Sequence, residues 1–321
     1  RAMPRRLLLI GLPLTIALGI LFGTALFGQL ALLEIALLAT LLAPTDAALG
    51  KSVVSDERIP NGIRTSLNVE SGLNDGICVP IFLAFLATAT QAATEESFAM
   101  LTLGLLVEEI GIGAAVGVVV VAIAVPFIRL ADRRGWITES WHQLPVPALA
   151  IACFAAAQSI GGSGFIACFV GGLLLNLTAR QHLHRWVLAG EATGDTLSLL
   201  TWVVFGAAVV GDIVHELTWQ IVLYAVLSLT VIRMLPVYLA FRGTEQRLSE
   251  VLFMGWFGPR GLASIVFTVM MLEAHLPGAR TIALTAACTI ILSVLAHGLS
   301  AKPLTTRLVR RLGPDGTEVE R

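Results

Sequence analysis

Residues 251–274 read VLFMGWFGPRGLASIVFTVMMLEA, an apolar run long enough to cross a bilayer but interrupted at its centre by Gly255-Trp256-Phe257-Gly258-Pro259-Arg260-Gly261. Proline removes a backbone donor and glycine weakens a helix, so this run is predicted to unwind in the middle. A second interrupted run spans residues 29–50, and its interruption is Ala43-Pro44-Thr45-Asp46. Interrupted apolar helices at matching places in two halves of a chain indicate a membrane protein built from inverted repeats.

The composition supports a membrane protein. Of the 321 residues, 56% are hydrophobic and 13% are charged, with a mean hydropathy of +0.84, and a water-exposed surface needs more charge than that. The net charge of −1 gives no indication of a nucleic-acid partner. The four cysteines lie inside apolar runs without metal or disulfide spacing, and no cofactor is predicted.

The sequence predicts an all-α fold with ten spans, at about 7–28, 29–50, 66–91, 110–128, 144–160, 162–178, 194–212, 217–241, 251–274 and 279–300. Gly111 and Gly113 are expected to divide the region 97–128 into an interfacial helix and a true span. With this count, 18 of the 21 basic residues fall on one side of the membrane. Lys and Arg mark the cytoplasmic side, so both ends of the chain are predicted to be cytoplasmic.

The two breaks also predict the domain organisation. The second break lies in the fifth of the last six spans, whereas the first lies in the second span of the chain. If the repeats match, three further spans precede this sequence, which makes thirteen in all. The predicted parts are the end of the first repeat with an interfacial helix, a linker span with a cytoplasmic loop, the second repeat and a cytoplasmic tail, at residues 1–109, 110–143, 144–300 and 301–321.

The third span carries the acidic segment Glu70-Ser71-Gly72-Leu73-Asn74-Asp75. A charge at the centre of a membrane costs about 3 kcal/mol or more, so two carboxylates there indicate a function. At 100° per residue, Ser71, Asn74 and Asp75 share one helix face. That face presents a hydroxyl, an amide and a carboxylate, whose oxygens are the ligands that hard cations prefer.

Glu70 lies roughly 140° around the helix from Asp75 and is expected to pair with Arg260 in the second break. That pairing leaves the Asp75 carboxylate free of an arginine partner, so Asp75 is the group expected to gain and lose a proton. Arg233 is expected to extend to the cytoplasmic interface from a helix bent at Pro236, and Glu34 is expected to reach the opposite interface.

Thr45 and Asp46 lie at the first break, where unwinding frees carbonyl groups and directs two half-helix dipoles at the site. Taken alone, this pair would be interpreted as a helix N-cap.

These motifs together resemble the sodium/proton exchanger branch of the cation/proton antiporter superfamily, the NhaP-like bacterial proteins. The resemblance covers nearly the whole chain. It rests on five segments in order, at residues 43–46, 70–75, 162–164 (Gly-Ser-Gly), 258–261 (Gly-Pro-Arg-Gly) and 297–304 (His-Gly-Leu-Ser-Ala-Lys-Pro-Leu).

The resemblance implies a thirteen-helix fold with two crossing discontinuous helices, of which ten helices are in this chain. It implies a Na⁺ site at Asp75 and Asp46 with Ser71 and Thr45 as further ligands, and it implies a bridge between Glu70 and Arg260. An Asn-Asp pair such as residues 74–75 goes with electroneutral exchange in this branch. Members are usually homodimers, and the expected location is the cell (inner) membrane.

The predicted function is therefore exchange of Na⁺, or K⁺ or Li⁺, for a proton by alternating access at Asp75. The sequence lacks an ATP motif, so an ion gradient would supply the energy. Two alternatives stay open, which are a passive cation channel and a non-transporting sensor or remnant of the same fold. An intramembrane enzyme is the least supported, because no nucleophile and base are arranged together.

Overall fold

The structure is a computed structural model that describes residues 2–46, 49–90, 98–138, 141, 144–178 and 183–312. All regular secondary structure in these ranges is helical. A π-helical turn, Leu7–Gly11, joins the first two helices. The helices are α1 (Ala2–Arg6), α2 (Leu12–Leu26), α3 (Leu32–Leu41), α4 (Lys51–Val54), α5 (Asn61–Thr90), α6 (Phe98–Arg133), α7 (Pro145–Ser159), α8 (Gly164–Thr178), α9 (Leu183–Glu216), α10 (Trp219–Leu229), α11 (Val231–Phe241), α12 (Leu248–Trp256), α13 (Leu262–Glu273) and α14 (Ala279–Leu312).

Both predicted breaks are present. Helix α3 ends at Leu41, ahead of Pro44, and helix α12 ends at Trp256, ahead of Pro259. Helix α13 resumes the second interrupted run at Leu262. Among the described residues, the next helix after the first break is the four-residue α4, which begins at Lys51, just beyond the predicted span 29–50.

Within the described ranges, five helices are long and apolar enough to cross a membrane: Met3–Leu26, Asn61–Thr90, Val107–Arg133, Trp219–Phe241 and Ala279–Leu312. Four shorter apolar helices accompany them, namely α3, α7, α8 and α13. Each of the ten predicted spans overlaps a helix. How many of these helices cross the bilayer stays a prediction, as do the three preceding spans and the inverted repeats.

The expected division of α6 at Gly111 and Gly113 is wrong, because α6 continues through both residues. Gly113 serves packing instead. A Cβ atom at Gly113 would lie 2.6 Å from the carbonyl oxygen of Ser163, and one at Gly117 would lie 2.3 Å from that of Ala167. These glycines let α8 approach the α6 backbone, which offsets the cost of about 1 kcal/mol for each glycine within a helix.

The eighth predicted span bends at a different residue from the one expected. Pro236 lies inside α11, and the helical path is interrupted earlier, at Thr230 between α10 and α11 (φ −111°, ψ −92°). A proline removes its own donor and clashes with the carbonyl four residues earlier, which for Pro236 is that of Ile232, so the interruption at Thr230 lies beyond its direct reach.

The described chain forms two compact units. The first contains α1 to α4, α5 except for residues 79–84, the end of α9 from Ala208, and α10 to α14, and it holds all the candidate site residues. Its core includes Ile63, Val237 and Met254. The second contains α6 to α8 and most of α9, with a core around Val121 and Cys153. The division into repeats predicted from the sequence stays a prediction.

Candidate ion-binding site

The two breaks are bonded to each other. The backbone N–H of Asp46 donates to the carbonyl oxygen of Pro259 (2.7 Å), and the N–H of Leu262 donates to Oδ2 of Asp46 (3.0 Å). Leu262 begins α13, where unpaired N–H groups and the positive end of the helix dipole favour a negative charge. Asp46 therefore caps the helix that follows the other break.

Close packing holds this junction. A Cβ atom at Gly261 would lie 2.0 Å from Oδ2 of Asp46, and one at Gly258 would lie 2.5 Å from Nε of Arg233. One turn into α13, the Ser264 hydroxyl donates to the carbonyl oxygen of Leu41, the last residue of α3 (2.7 Å). Only glycine at position 261 leaves room for the Asp46 carboxylate.

Arg260 is completely buried and binds backbone oxygens. Its Nη1 donates to the carbonyl oxygens of Ala43 (2.7 Å) and Pro44 (3.1 Å) in the first break. Its backbone N–H donates to Oγ of Ser293 in α14 (2.7 Å). Unwinding of the first break leaves these carbonyl groups without helical partners, and they stabilise the guanidinium charge.

The predicted bridge between Glu70 and Arg260 is wrong, because Glu70 pairs with Arg233 of α11. Nη1 and Nη2 of Arg233 donate to Oε1 (2.5 Å) and Oε2 (2.8 Å) of Glu70. The two side chains are only 2% and 3% exposed, so Arg233 does not extend to an interface. The carbonyl groups of the first break accept hydrogen bonds from Nη1 of Arg260, whereas the paired Nη groups of Arg233 match both carboxylate oxygens of Glu70.

Three of the predicted ion-binding residues contact one another. Nδ2 of Asn74 donates to Oγ1 of Thr45 (2.8 Å), and the hydroxyls of Thr45 and Ser71 lie 3.0 Å apart. All three are at least nine-tenths buried. The first break is therefore joined to the polar face of α5.

Asp75 and Asn74 each have an unsatisfied oxygen. Oδ1 of Asp75 and Oδ1 of Asn74 are buried, and neither has a hydrogen-bond partner among the described residues. The carboxylate of Asp46 is close enough to repel that of Asp75 electrostatically. A buried acceptor without a donor is costly, and a bound cation or proton would satisfy it.

Helix α14 supports the second break through residues to which the sequence had assigned no role. Nε2 of His297 lies 2.8 Å from the carbonyl oxygen of Trp256, the last residue of α12. Nδ1 of His297 lies 2.8 Å from the carbonyl oxygen of Ser293, whose hydroxyl receives the Arg260 N–H. The sequence motif that begins at His297 indicated that this segment matters, but it did not show that His297 contacts the carbonyl oxygen of Trp256.

Glu34 also differs from its expected position. It is 5% exposed, and its Oε1 and Oε2 accept the N–H groups of Gly278 (2.6 Å) and Ala31 (2.9 Å). Glu34 therefore caps the start of α3 and binds the turn before α14. The expectation that it reaches the interface is wrong, because these amides replace water as its donors.

One known protein family matches this chain over most of its length. The model of the family described as "Sodium/hydrogen exchanger, transmembrane" matches residues 4–307.

Curated relatives carry antiporter names. A Na(+)/H(+) antiporter of Schizosaccharomyces pombe is 27% identical over an alignment of 258 residues, and the match covers 76% of this chain and 55% of that protein. The K(+)/H(+) antiporter NhaP2 of Shewanella baltica is 24% identical over an alignment of 278 residues, and the match covers 82% of this chain and 45% of that protein. The chain thus spans about half the length of these relatives, which are transporters by name and not enzymes.

A solved structure has the same fold. The sodium proton antiporter MjNhaP1 from Methanocaldococcus jannaschii, determined at pH 8, superposes with a TM-score of 0.73. The match covers 96% of this chain and 79% of the other at 21% identity. At that identity the comparison supports the fold.

Proposed function

This chain belongs to the sodium/hydrogen exchanger family, and we propose that it exchanges a monovalent cation for a proton across the cell membrane, with Asp75 holding each ion in turn. The observation that carries the proposal is the pair of buried oxygens on Asp75 and Asn74 that have no partner among the described residues. In a membrane segment, such oxygens mark a place for an ion.

The exchange follows from competition at one carboxylate. Asp75 binds either a proton or a cation, so each crossing of the site carries one or the other. Alternating exposure of the site to the two sides then couples the two gradients. Ser71, Asn74 and Thr45 supply oxygens beside Asp75, and Asp46 supplies a second carboxylate nearby.

The charges gathered at the breaks support electroneutral exchange. Two arginines, Arg233 and Arg260, and three carboxylates, those of Glu70, Asp46 and Asp75, leave one negative charge when all five are ionised. One proton or one monovalent cation neutralises that charge. The loaded site then has the same net charge with either ion, in line with the Asn74-Asp75 pair.

The transported cation is proposed to be Na⁺, with K⁺ as the second candidate. Named relatives include a Na(+)/H(+) antiporter and a K(+)/H(+) antiporter. Hydroxyl, amide and carboxylate oxygens bind both ions, so the dimensions of the site decide between them.

The test is cation-dependent proton movement in inside-out vesicles, followed by dequenching of a pH-sensitive dye after addition of NaCl, KCl or LiCl. We expect dequenching with Na⁺ and its loss in Asp75→Asn, which keeps the shape of the side chain but removes its charge. Asp56→Asn is the matched control, because Asp56 lies in the loop after α4 and pairs with Arg58.

The outcomes separate the alternatives. Exchange that persists in Asp75→Asn would contradict the proposed mechanism. Cation flux that runs only down its own gradient, and never drives protons uphill, would indicate a passive channel. No response to any of the three salts would favour a non-transporting protein.

A further inference from the structure

A pocket of about 460 Å³ lies between α11, α12 and α14, and none of the residues that line it is a candidate ion-binding residue. Most of its lining is apolar and comes from Met234, Leu252, Phe253, Trp256, Leu304 and Leu308. Its size and lining suit part of a hydrocarbon chain better than a small soluble anion.

Two arginines border this pocket. Arg307 and Arg311 are four residues apart on α14, so they lie on the same helix face, and both are exposed. Among the described residues, the lining carries these two positive charges and no carboxylate. The pocket therefore combines an apolar floor with a cationic rim.

Ser249, near the start of α12, adds a further polar group to the lining. Its hydroxyl is buried, and it has no hydrogen-bond partner within the described part of the chain. Rotation about its Cα–Cβ bond would let it donate to a phosphate oxygen. The unused hydroxyl is a second, independent indication that a polar ligand belongs here.

We propose that this pocket binds an anionic phospholipid, whose phosphate is held by Arg307 and Arg311 and whose acyl chain lies against the apolar floor. Arginine binds phosphate through paired N–H groups. A zwitterionic lipid would gain less from two adjacent cations, and a free phosphate would leave the apolar floor exposed. Basic pockets between membrane helices on the cytoplasmic side suit anionic headgroups, and the distribution of Lys and Arg predicts that this side is cytoplasmic.

The pocket reaches the edge of the second break. Trp256 lines it and is the last residue of α12, and its indole N–H donates to Oγ of Ser300 in α14 (2.8 Å). A lipid in the pocket would contact α12 and α14 together, immediately before the chain unwinds.

Trp256 supplies the probe for the test. The protein is reconstituted in phosphatidylcholine vesicles that contain a minor fraction of either brominated phosphatidylglycerol or brominated phosphatidylcholine, and tryptophan fluorescence is measured. We expect stronger quenching by the brominated phosphatidylglycerol, and we expect this excess to disappear in Trp256→Phe. Removal of each arginine should weaken the preference for phosphatidylglycerol over phosphatidylcholine about fivefold. The double variant Arg307→Gln/Arg311→Gln should therefore abolish most of this preference.

Arg310→Gln is the matched control, because Arg310 is exposed on the same helix turn but does not line the pocket. It should keep the preference, and Arg307→Lys/Arg311→Lys should restore part of it. Equal quenching by the two lipids, or an equal loss in Arg310→Gln, would overturn the proposal. Full displacement of the excess quenching by inorganic phosphate would reduce the site to a simple anion site and would also overturn it.

Discussion

At the scale of single residues, the buried arginines are stabilised in different ways. Arg260 binds backbone carbonyl oxygens of the first break, whereas Arg233 binds both oxygens of Glu70. These bonds replace part of the water that each guanidinium loses, while Nε of both arginines is buried without a partner among the described residues. Asp75 is different, because its buried atom without a partner in the described chain is a carboxylate oxygen, which can accept a proton or bind a cation, whereas a guanidinium N–H can do neither. That difference is why we propose a structural role for the two arginines and ion exchange at Asp75.

The buried pair predicts a large effect on stability. Arg233→Leu leaves the Glu70 carboxylate buried without its partner, so we expect a loss of about 3–5 kcal/mol in the free energy of unfolding. The double variant Glu70→Leu/Arg233→Leu should recover much of this loss, because neither charge then remains. Thermal unfolding in detergent measures both.

Arg280→Leu is the control for this prediction, since Arg280 pairs with Glu216 on an exposed surface. It should change the unfolding temperature much less than Arg233→Leu. Equal effects of the two substitutions would contradict a structural role for the buried pair.

At the scale of secondary-structure elements, each break provides hydrogen-bond partners for polar groups in and beside the other break. The first break provides carbonyl oxygens to Arg260 and a carboxylate to the start of α13. The second break provides the carbonyl of Pro259 to Asp46 and, through Ser264, a donor to the last carbonyl of α3. The ends of broken helices are costly in a membrane unless such partners are present.

Gly261→Ala tests this junction. The added methyl group would lie within 2.0 Å of Oδ2 of Asp46, so the carboxylate must move and the cap on Leu262 is lost. We expect a loss of about 1–2 kcal/mol in the free energy of unfolding and a strong reduction in exchange. The reason is steric, since φ of Gly261 is −150°.

Gly298→Ala is the matched control within α14, where an added Cβ meets no atom within 4 Å among the described residues. Alanine is favoured over glycine in a helix, so this variant should keep or slightly raise stability. If Gly261→Ala behaved like Gly298→Ala, the proposed role of the Asp46 cap would be wrong.

At the scale of the whole molecule, the proposed electroneutral exchange predicts how transport responds to voltage. The five charged side chains leave one negative charge, which either ion neutralises. We therefore expect the rate of Na⁺/H⁺ exchange in proteoliposomes to be independent of a membrane potential imposed with K⁺ and valinomycin. A rate that rises or falls steadily with the potential would show that exchange is not one for one.

Several features follow from the sequence alone because they depend on local chemistry. The composition places the chain in a membrane, the prolines and glycines locate both breaks, and helical periodicity places Ser71, Asn74 and Asp75 on one face. These depend on neighbours within a few residues along the chain. The family resemblance rested on the same local motifs, and the family comparison confirms it.

Other features were decided only by the tertiary structure, because they depend on which distant groups meet. The partner of Glu70 is Arg233 and not Arg260, since the carbonyl oxygens that satisfy Arg260 come from another break in the chain. Glu34 is buried because the backbone N–H groups of Ala31 and Gly278, which are far from each other in sequence, both donate to its carboxylate. Gly113 lies within α6 at a close contact with the carbonyl oxygen of Ser163, which the sequence did not reveal. In each case the contact is decided by which groups lie close together in space, and the local sequence pattern does not identify that neighbour.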